Sequence, residues 1–225
     1  LSVRPSQFGL LFGPEMQDIT LECAIKLLKR DKNKVQLFIC SSLEQRTSEA
    51  IGDPVEEARK QVQEQAAVHM DETGWTESNK KAWLWVAATS LVSVFLIRCS
   101  RGGTAAKEML GETFEGILST DRWSAYNWVS VSLRQLCWSH LLRAFQAFVE
   151  RGGESQRIGE AILAQSALMF KWWHRARDGT MTLAVFQEKM KPVQLHVVQL
   201  LRQGTTCAHT KTAGTCRDIL KREAA

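Results

Sequence analysis

Two aspartates are the residues best placed to do chemistry, because each stands directly behind an apolar run: Asp71 after Ala-Val-His-Met and Asp121 after Ile-Leu-Ser-Thr. An acidic residue at the carboxyl end of a strand lies where open α/β sheets carry their sites. If the two strands are neighbours, the carboxylates are close enough to share a divalent cation. Like charges held together raise each other's pKa unless a cation neutralises them, so such a pair predicts Mg2+ or Mn2+. Paired metal-bound carboxylates suit phosphodiester chemistry, with one ion activating the nucleophile and another stabilising the leaving oxygen. The spacing alone fits equally well an Asp that merely forms the turn after a strand. His69 shares a face with Asp71 if the segment is extended, where a hydrogen-bonding role is the ordinary one.

Further polar residues cluster around this pair in sequence. Cys137 and His140 have the C-x-x-H spacing, half of a zinc site, with His140 otherwise suited to orienting a carboxylate or a phosphate. Cys207, His209 and Cys216 are further thiol and imidazole groups, and nothing in the sequence brings them to the first two. Arg98, Arg101, Lys107, Arg122, Arg134 and Arg143 supply the positive charge that phosphate contacts require. Among the tryptophans, Trp75 and Trp123 follow the two aspartates and suit base stacking, whereas Trp83 and Trp85 share one strand face and should pack.

The elements that must position these groups follow from periodicity. Residues 1–14 give no periodic signal and predict an irregular arm, and a short helix is expected within 15–34. Val35–Cys40 reads as a strand. Ser41 followed by Glu44 matches a capping box, predicting a helix from Leu43 to about Ile51 that Gly52-Asp53-Pro54 ends, with Pro54 opening the next helix. Strands are expected around residues 67–70, 81–86, 94–97, 116–120 and 134–138. The polar stretch 71–80 reads as a hairpin connection between the first two. A helix is expected over 104–110. Beyond His140 three helical runs end at Gly152, Gly179 and Gly204, and Pro192 should kink or divide the last. In the middle run Ile162, Leu163, Leu168 and Phe170 form the predicted packing stripe, and Cys207–Thr215 reads as a loop before a final short helix. The division expected is a helical arm over 1–65, a strand-rich core over 66–150 and a helical segment over 151–225.

Composition sets bounds on all of this. The 225 residues are 44% hydrophobic and 24% charged, in the globular range. Lys and Arg exceed Asp and Glu by 29 − 24 = 5, and a pI near 9.0 suits a polyanionic partner. Six scattered cysteines without C-x-x-C spacing predict reduced thiols in a cytoplasmic protein. The charge-free stretch Ala82–Ile97 is shorter than the roughly 18–20 residues of a membrane helix, so no membrane partner is expected.

Six peptides together carry a resemblance: HMDETGW (69–75), KAWLWVA (81–87), SRGGTAAKEMLGETFEGIL (100–118), DRWSAYN (121–127), RQLCWSHLLRAFQ (134–146) and KTAGTCRDILK (211–221). From about residue 41 to 225 the chain resembles transposases of the insertion-sequence-66 type. The resemblance implies a DDE recombinase: an α/β fold with a ribonuclease-H-like mixed sheet, a helical insertion and a short helical arm in front. It implies Asp71 and Asp121 as the first two catalytic, metal-binding carboxylates, with Mg2+ or Mn2+ as cofactor. DNA at transposon ends and target is the implied substrate, bound through residues such as Arg101, Arg122, Trp123 and Arg143, with His69, Cys137 and His140 in support. The implied setting is bacterial cytoplasm and nucleoid, with a homo-oligomer or a full-length transposase as protein partner.

Three departures from the family pattern bear on activity. The third acidic residue, a Glu, belongs to a segment downstream of KTAGTCRDILK, and Glu223 does not match it. The first residue is Leu and the KREAA end resembles a continuing helix, so an incomplete frame is expected. Residues 12–40 do not look like the usual helix-turn-helix-like segment, and Ala144 stands where Asp is common after Leu-Leu-Arg. The expectation is a cleavage and strand-transfer enzyme inactive as this fragment; the alternative is a non-catalytic remnant that binds DNA or a full-length transposase.

Overall fold

The computed structural model describes residues 32–77 and 79–223, and the expectations for residues 1–31 lie outside them. The chain divides into two units between Glu57 and Ala58. The described part of the first unit is helix throughout, formed by α1 (Lys32–Gln63), which runs on into the second. The expected strand over 35–40 and the expected break at Gly52-Asp53-Pro54 are therefore both corrected. Pro54 sits inside α1. It removes one backbone hydrogen bond, to the carbonyl of Ala50, and a helix of 32 residues outlasts that loss where a short one would not.

The second unit is a mixed α/β structure around one five-stranded sheet. Its strands are β1 (Ala67–Glu77), β2 (Lys80–Ala88), β3 (Ser93–Arg98), β4 (Ile117–Thr120) and β5 (Arg134–Leu136). Their spatial order is β3-β2-β1-β4-β5. The first three form an antiparallel meander, whereas β4 runs parallel to both β1 and β5. The expected long hairpin connection is strand instead: β1 and β2 stay paired from His69↔Ala88 to Glu77↔Lys80. Asn79, at a φ of 62°, turns the chain between them, a left-handed conformation that Asn accepts more readily than most residues.

Period-two alternation decides which side of the sheet is core. Val68, Met70, Trp85, Ala87 and Leu118 are buried on one face, under α2 (Gly103–Leu110) with its Ala105, Ala106, Met109 and Leu110. Trp85 meets Tyr126 edge to face at 6.2 Å. The end of α1 is tied to the same helix, where Arg59 donates to the Glu108 carbonyl at 2.7 Å and Gln63 to that of Met109 at 3.2 Å. The opposite face is open, with Phe95 61% and Ile117 39% exposed.

A second apolar cluster belongs to the helices α3 (Trp138–Glu150), α4 (Gly153–Arg177), α5 (Leu183–Gly204) and α6 (Thr210–Leu220). The buried stripe of α4 is Ser155, Ile158, Gly159, Ile162, Ser166 and Met169, at helical spacing. Of the expected stripe Ile162 is fully buried, Leu163 packs against the cluster and Phe170 meets Trp138 edge to face at 6.0 Å, whereas Leu168 is 38% exposed. Pro192 lies within α5 without dividing it. The expected loop 207–215 is short, because α6 begins at Thr210. No helix among the described residues is long and apolar enough to cross a membrane.

Candidate active site

The parallel ladder between β1 and β4 runs Ala67↔Ile117, Val68↔Leu118 and His69↔Ser119, and stops there. Asp71 and Asp121 each lie two residues beyond that last pair. His69, Asp71 and Ser119 share one sheet face by alternation, and Asp121 follows β4 with the parity of Ser119. Asp71 is not at the end of its strand, as the sequence had implied; it lies inside β1, where the pairing with β4 ceases and the pairing with β2 continues.

Each aspartate commits one oxygen to a backbone amide. Glu72 N–H donates to Asp71 Oδ1 at 3.0 Å, and Trp123 N–H donates to Asp121 Oδ1 at 2.7 Å. The other oxygen of Asp71 lies 3.9 Å from His140 Nε2. His140 is in the first turn of α3, whose N-cap, Cys137, donates its amide to the Thr120 carbonyl at 2.7 Å, one residue before Asp121. That bond sets α3 against the end of β4. His140 Nδ1 is buried without a hydrogen-bond partner. Arg143 is exposed one turn further along the helix, at the spacing that keeps it on the side of His140. His69 is exposed on the Asp71 face.

The loop after Asp121 is clamped by arginines. Arg134, 5% exposed, donates to Thr120 Oγ1 at 3.1 Å, the Asp121 carbonyl at 3.0 Å and Asn127 Oδ1 at 3.2 Å. Arg122 pairs with Asp218 of α6 at 3.5 Å, and Arg222 pairs with the same carboxylate. Burial lowers the pKa of both Arg122 and Arg134, and the neighbouring Arg222 adds to the effect. An arginine starts so high that both stay charged at neutral pH.

A third carboxylate lies beneath the pair, and the sequence reading missed it. Glu72 has the parity of Val68 and Met70, so it points into the core, and its side chain is fully buried. Arg101 donates Nε to Glu72 Oε1 at 2.8 Å, and Tyr126 donates its hydroxyl to Oε2. The Arg101 guanidinium lies between Trp83 and Trp123, 4.7 and 4.2 Å from their ring centres. Burial raises the Glu72 pKa; the bonds from Tyr126 and Arg101 pull it back, and the Asp121 charge pushes it up again. Burial and the acceptor Glu72 raise the Tyr126 pKa, with the charges of Asp121 and Asp71 adding to it, so the phenol remains a donor. The alternation that makes Asp71 face outward was the signal for Glu72.

The expected cations divide by their partners. Arg98 pairs with Glu108, Lys107 with Glu112 at 3.4 Å, Arg101 with Glu72 and Arg122 with Asp218. Trp123, two residues after Asp121, is 39% exposed, and Trp75, four residues further along β1 than Asp71, is 43% exposed. Cys207 and Cys216 are buried in the helical cluster with free thiols. Among the described residues no group of three or more His, Cys, Asp or Glu side chains is arranged to hold a metal ion.

Comparison with known proteins finds no match among curated proteins and none among solved structures. A family model described as "Transposase IS66 family" matches residues 16–225, so the match starts upstream of about residue 41, where the resemblance was expected to begin. It takes in both aspartates, the buried Glu72 with its arginine, and the clamps on the Asp121 loop, and on that match the chain belongs to the Transposase IS66 family.

Proposed function

We propose that this chain is the catalytic core of a DDE-type transposase, with a ribonuclease-H-like sheet on which Asp71 and Asp121 hold Mg2+ or Mn2+ for the cutting and joining of DNA. The observation that carries this reading is the register: two aspartates, 50 positions apart in sequence, one inside β1 and one directly after its parallel neighbour β4, each stand two residues past the last paired position. Neighbouring strands are about 4.8 Å apart, so these side chains reach a common ion. Two oxygen donors with no thiolate suit a hard cation rather than zinc. Bound there, a divalent ion supplies activation of the attacking hydroxyl and stabilisation of the leaving oxygen.

The chain's own residues supply the rest. The amides of Glu72 and Trp123 each bond one oxygen of Asp71 and Asp121 and so orient the carboxylates. Arg143, with the exposed rings of Trp75 and Trp123, lies where DNA phosphates and bases would pass. In this reading residues 66–150 form the core, 151–225 a helical insertion and 1–65 an arm. Transposon ends and target DNA are the substrates, at the bacterial nucleoid, and a second copy or a longer transposase chain is the protein partner.

With two carboxylates in place among the described residues, metal should bind weakly and Mg2+-dependent cleavage should be poor. Titration of Mn2+ into the 225-residue chain, beside Asp71→Asn and Asp121→Asn, tests the assignment: each substitution should remove binding. If neither changes it, the paired-carboxylate reading fails. Efficient Mg2+-dependent cleavage by this chain would overturn the predicted defect. DNA binding that neither metal nor the Asn substitutions alter would favour a non-catalytic binding role.

A further inference from the structure

The β1–β4 ladder ends at His69↔Ser119, so nothing in the sheet holds together the stretches that carry Asp71 and Asp121. Two like-charged carboxylates brought close repel each other, so their separation depends on a link outside that ladder. A continuous path on the core side closes this gap. Glu72 gives its amide to Asp71 Oδ1 and its carboxylate to Arg101. The Arg101 carbonyl accepts a bond from Trp123 Nε1 at 3.1 Å, and the Trp123 amide bonds Asp121 Oδ1.

We infer that Glu72, Arg101 and Trp123 are positioning residues, a bracket that sets the separation of Asp71 and Asp121 before a cation arrives. The inference rests on the two-carboxylate reading above and goes beyond it by assigning residues that would hold the carboxylates without themselves ligating the metal. Core packing alone does not account for the choice of residues. A carboxylate with a fully buried side chain is costly to desolvate, and an apolar residue of similar volume commonly serves stability as well or better. The charge is also held with directional care: Arg101 places Nε and one terminal nitrogen on the same oxygen, each at 2.8 Å, while two indoles fix the plane of its guanidinium. Arg101 then contributes through Glu72 rather than as a loose phosphate contact. Groups that orient metal ligands commonly change metal affinity by about 10–100-fold when removed.

The test uses the 225-residue chain without DNA, with Mn2+ binding followed by electron paramagnetic resonance and folding by thermal unfolding. Glu72→Gln and Trp123→Ala should each weaken Mn2+ binding by about tenfold while unfolding stays cooperative. Trp123→Phe, which keeps a ring over Arg101 but loses the indole N–H, should fall between wild type and Trp123→Ala. Arg98→Gln breaks an ion pair outside the path and should leave Mn2+ binding unchanged. Should Glu72→Gln not fold, Trp123→Ala carries the test, since that ring is 39% exposed. Wild-type affinity in Trp123→Ala, or an equal loss in Arg98→Gln, overturns the bracket. Loss of binding in Asp71→Asn and Asp121→Asn together with wild-type affinity in the bracket variants would sink the bracket alone. Unchanged binding in the two Asn variants would sink the underlying site.

Discussion

Gly204 closes α5 against α6, and replacing it with alanine tests how tightly the helices are joined. A Cβ there would fall inside the van der Waals envelope of Cys216 Sγ, 3.4 Å from Cys216 Cβ and 3.7 Å from Ile158 Cγ2. The sulfur is fully buried, so it cannot swing out to solvent. Overpacking of this kind costs about 1–3 kcal/mol. Alanine at a helical position returns about 0.4–1 kcal/mol by restricting the unfolded chain. Gly204→Ala should therefore lose about 1–2 kcal/mol in urea unfolding, or several degrees in Tm at about 2–4 °C per kcal/mol. Cys216→Ala removes the obstructing sulfur, so the double variant should be more stable than the sum of the single losses by about 1 kcal/mol. α6 also carries Asp218, the partner of Arg122 beside Asp121, so the same clash should loosen that ion pair. Wild-type stability in Gly204→Ala, or single effects that add to within about 0.5 kcal/mol, would refute the close contact.

Thiol reactivity should rank by burial and charge. Burial pushes the Cys216 thiol up to about 11, so at pH 8 only about a thousandth of it is thiolate, and a disulfide reagent should reach exposed Cys99 first and Cys216 only on unfolding. The pH dependence of stability should carry the sign of Glu72. Its folded pKa is raised, so the native state holds the extra proton, and that contribution is present in full below the unfolded value of 4.5 and lost as pH rises through the folded value. The stability of wild type relative to Glu72→Gln should therefore grow on acidification through that window, read by urea titrations across pH; a difference that shrinks would refute a raised Glu72.

The sequence was most legible where periodicity and chemistry agree. Asp71 and Asp121 stood out because each breaks an apolar run, and four of the five strands matched their runs to within a few residues. The first was read short because the stretch from Asp71 to Thr76 is exposed at every position but Glu72 and paired on a hairpin, where polar residues are tolerated. Local punctuation misled at α1: a capping box and a Gly-Asp-Pro triplet each favour an end, yet helical hydrogen bonding on both sides carries the chain through. Glu72 escaped because a charged residue beside a candidate ligand reads as part of the same exposed cluster. Only its parity with Val68 and Met70 marks it as buried, and its partners Arg101 and Tyr126 lie 29 and 54 positions away.

The meander has a kinetic implication. Its strands β1, β2 and β3 are successive in the chain and join through tight turns, so their pairing closes small loops and should form early. Asp121 depends on a three-pair parallel ladder that must close over a connection running through α2. The segments that carry the two acids are thus joined by the least local pairing in the sheet. A nascent or partly unfolded copy would carry Asp71 on an ordered hairpin while Asp121 remained adrift, and competence would be acquired only at the final stage of assembly.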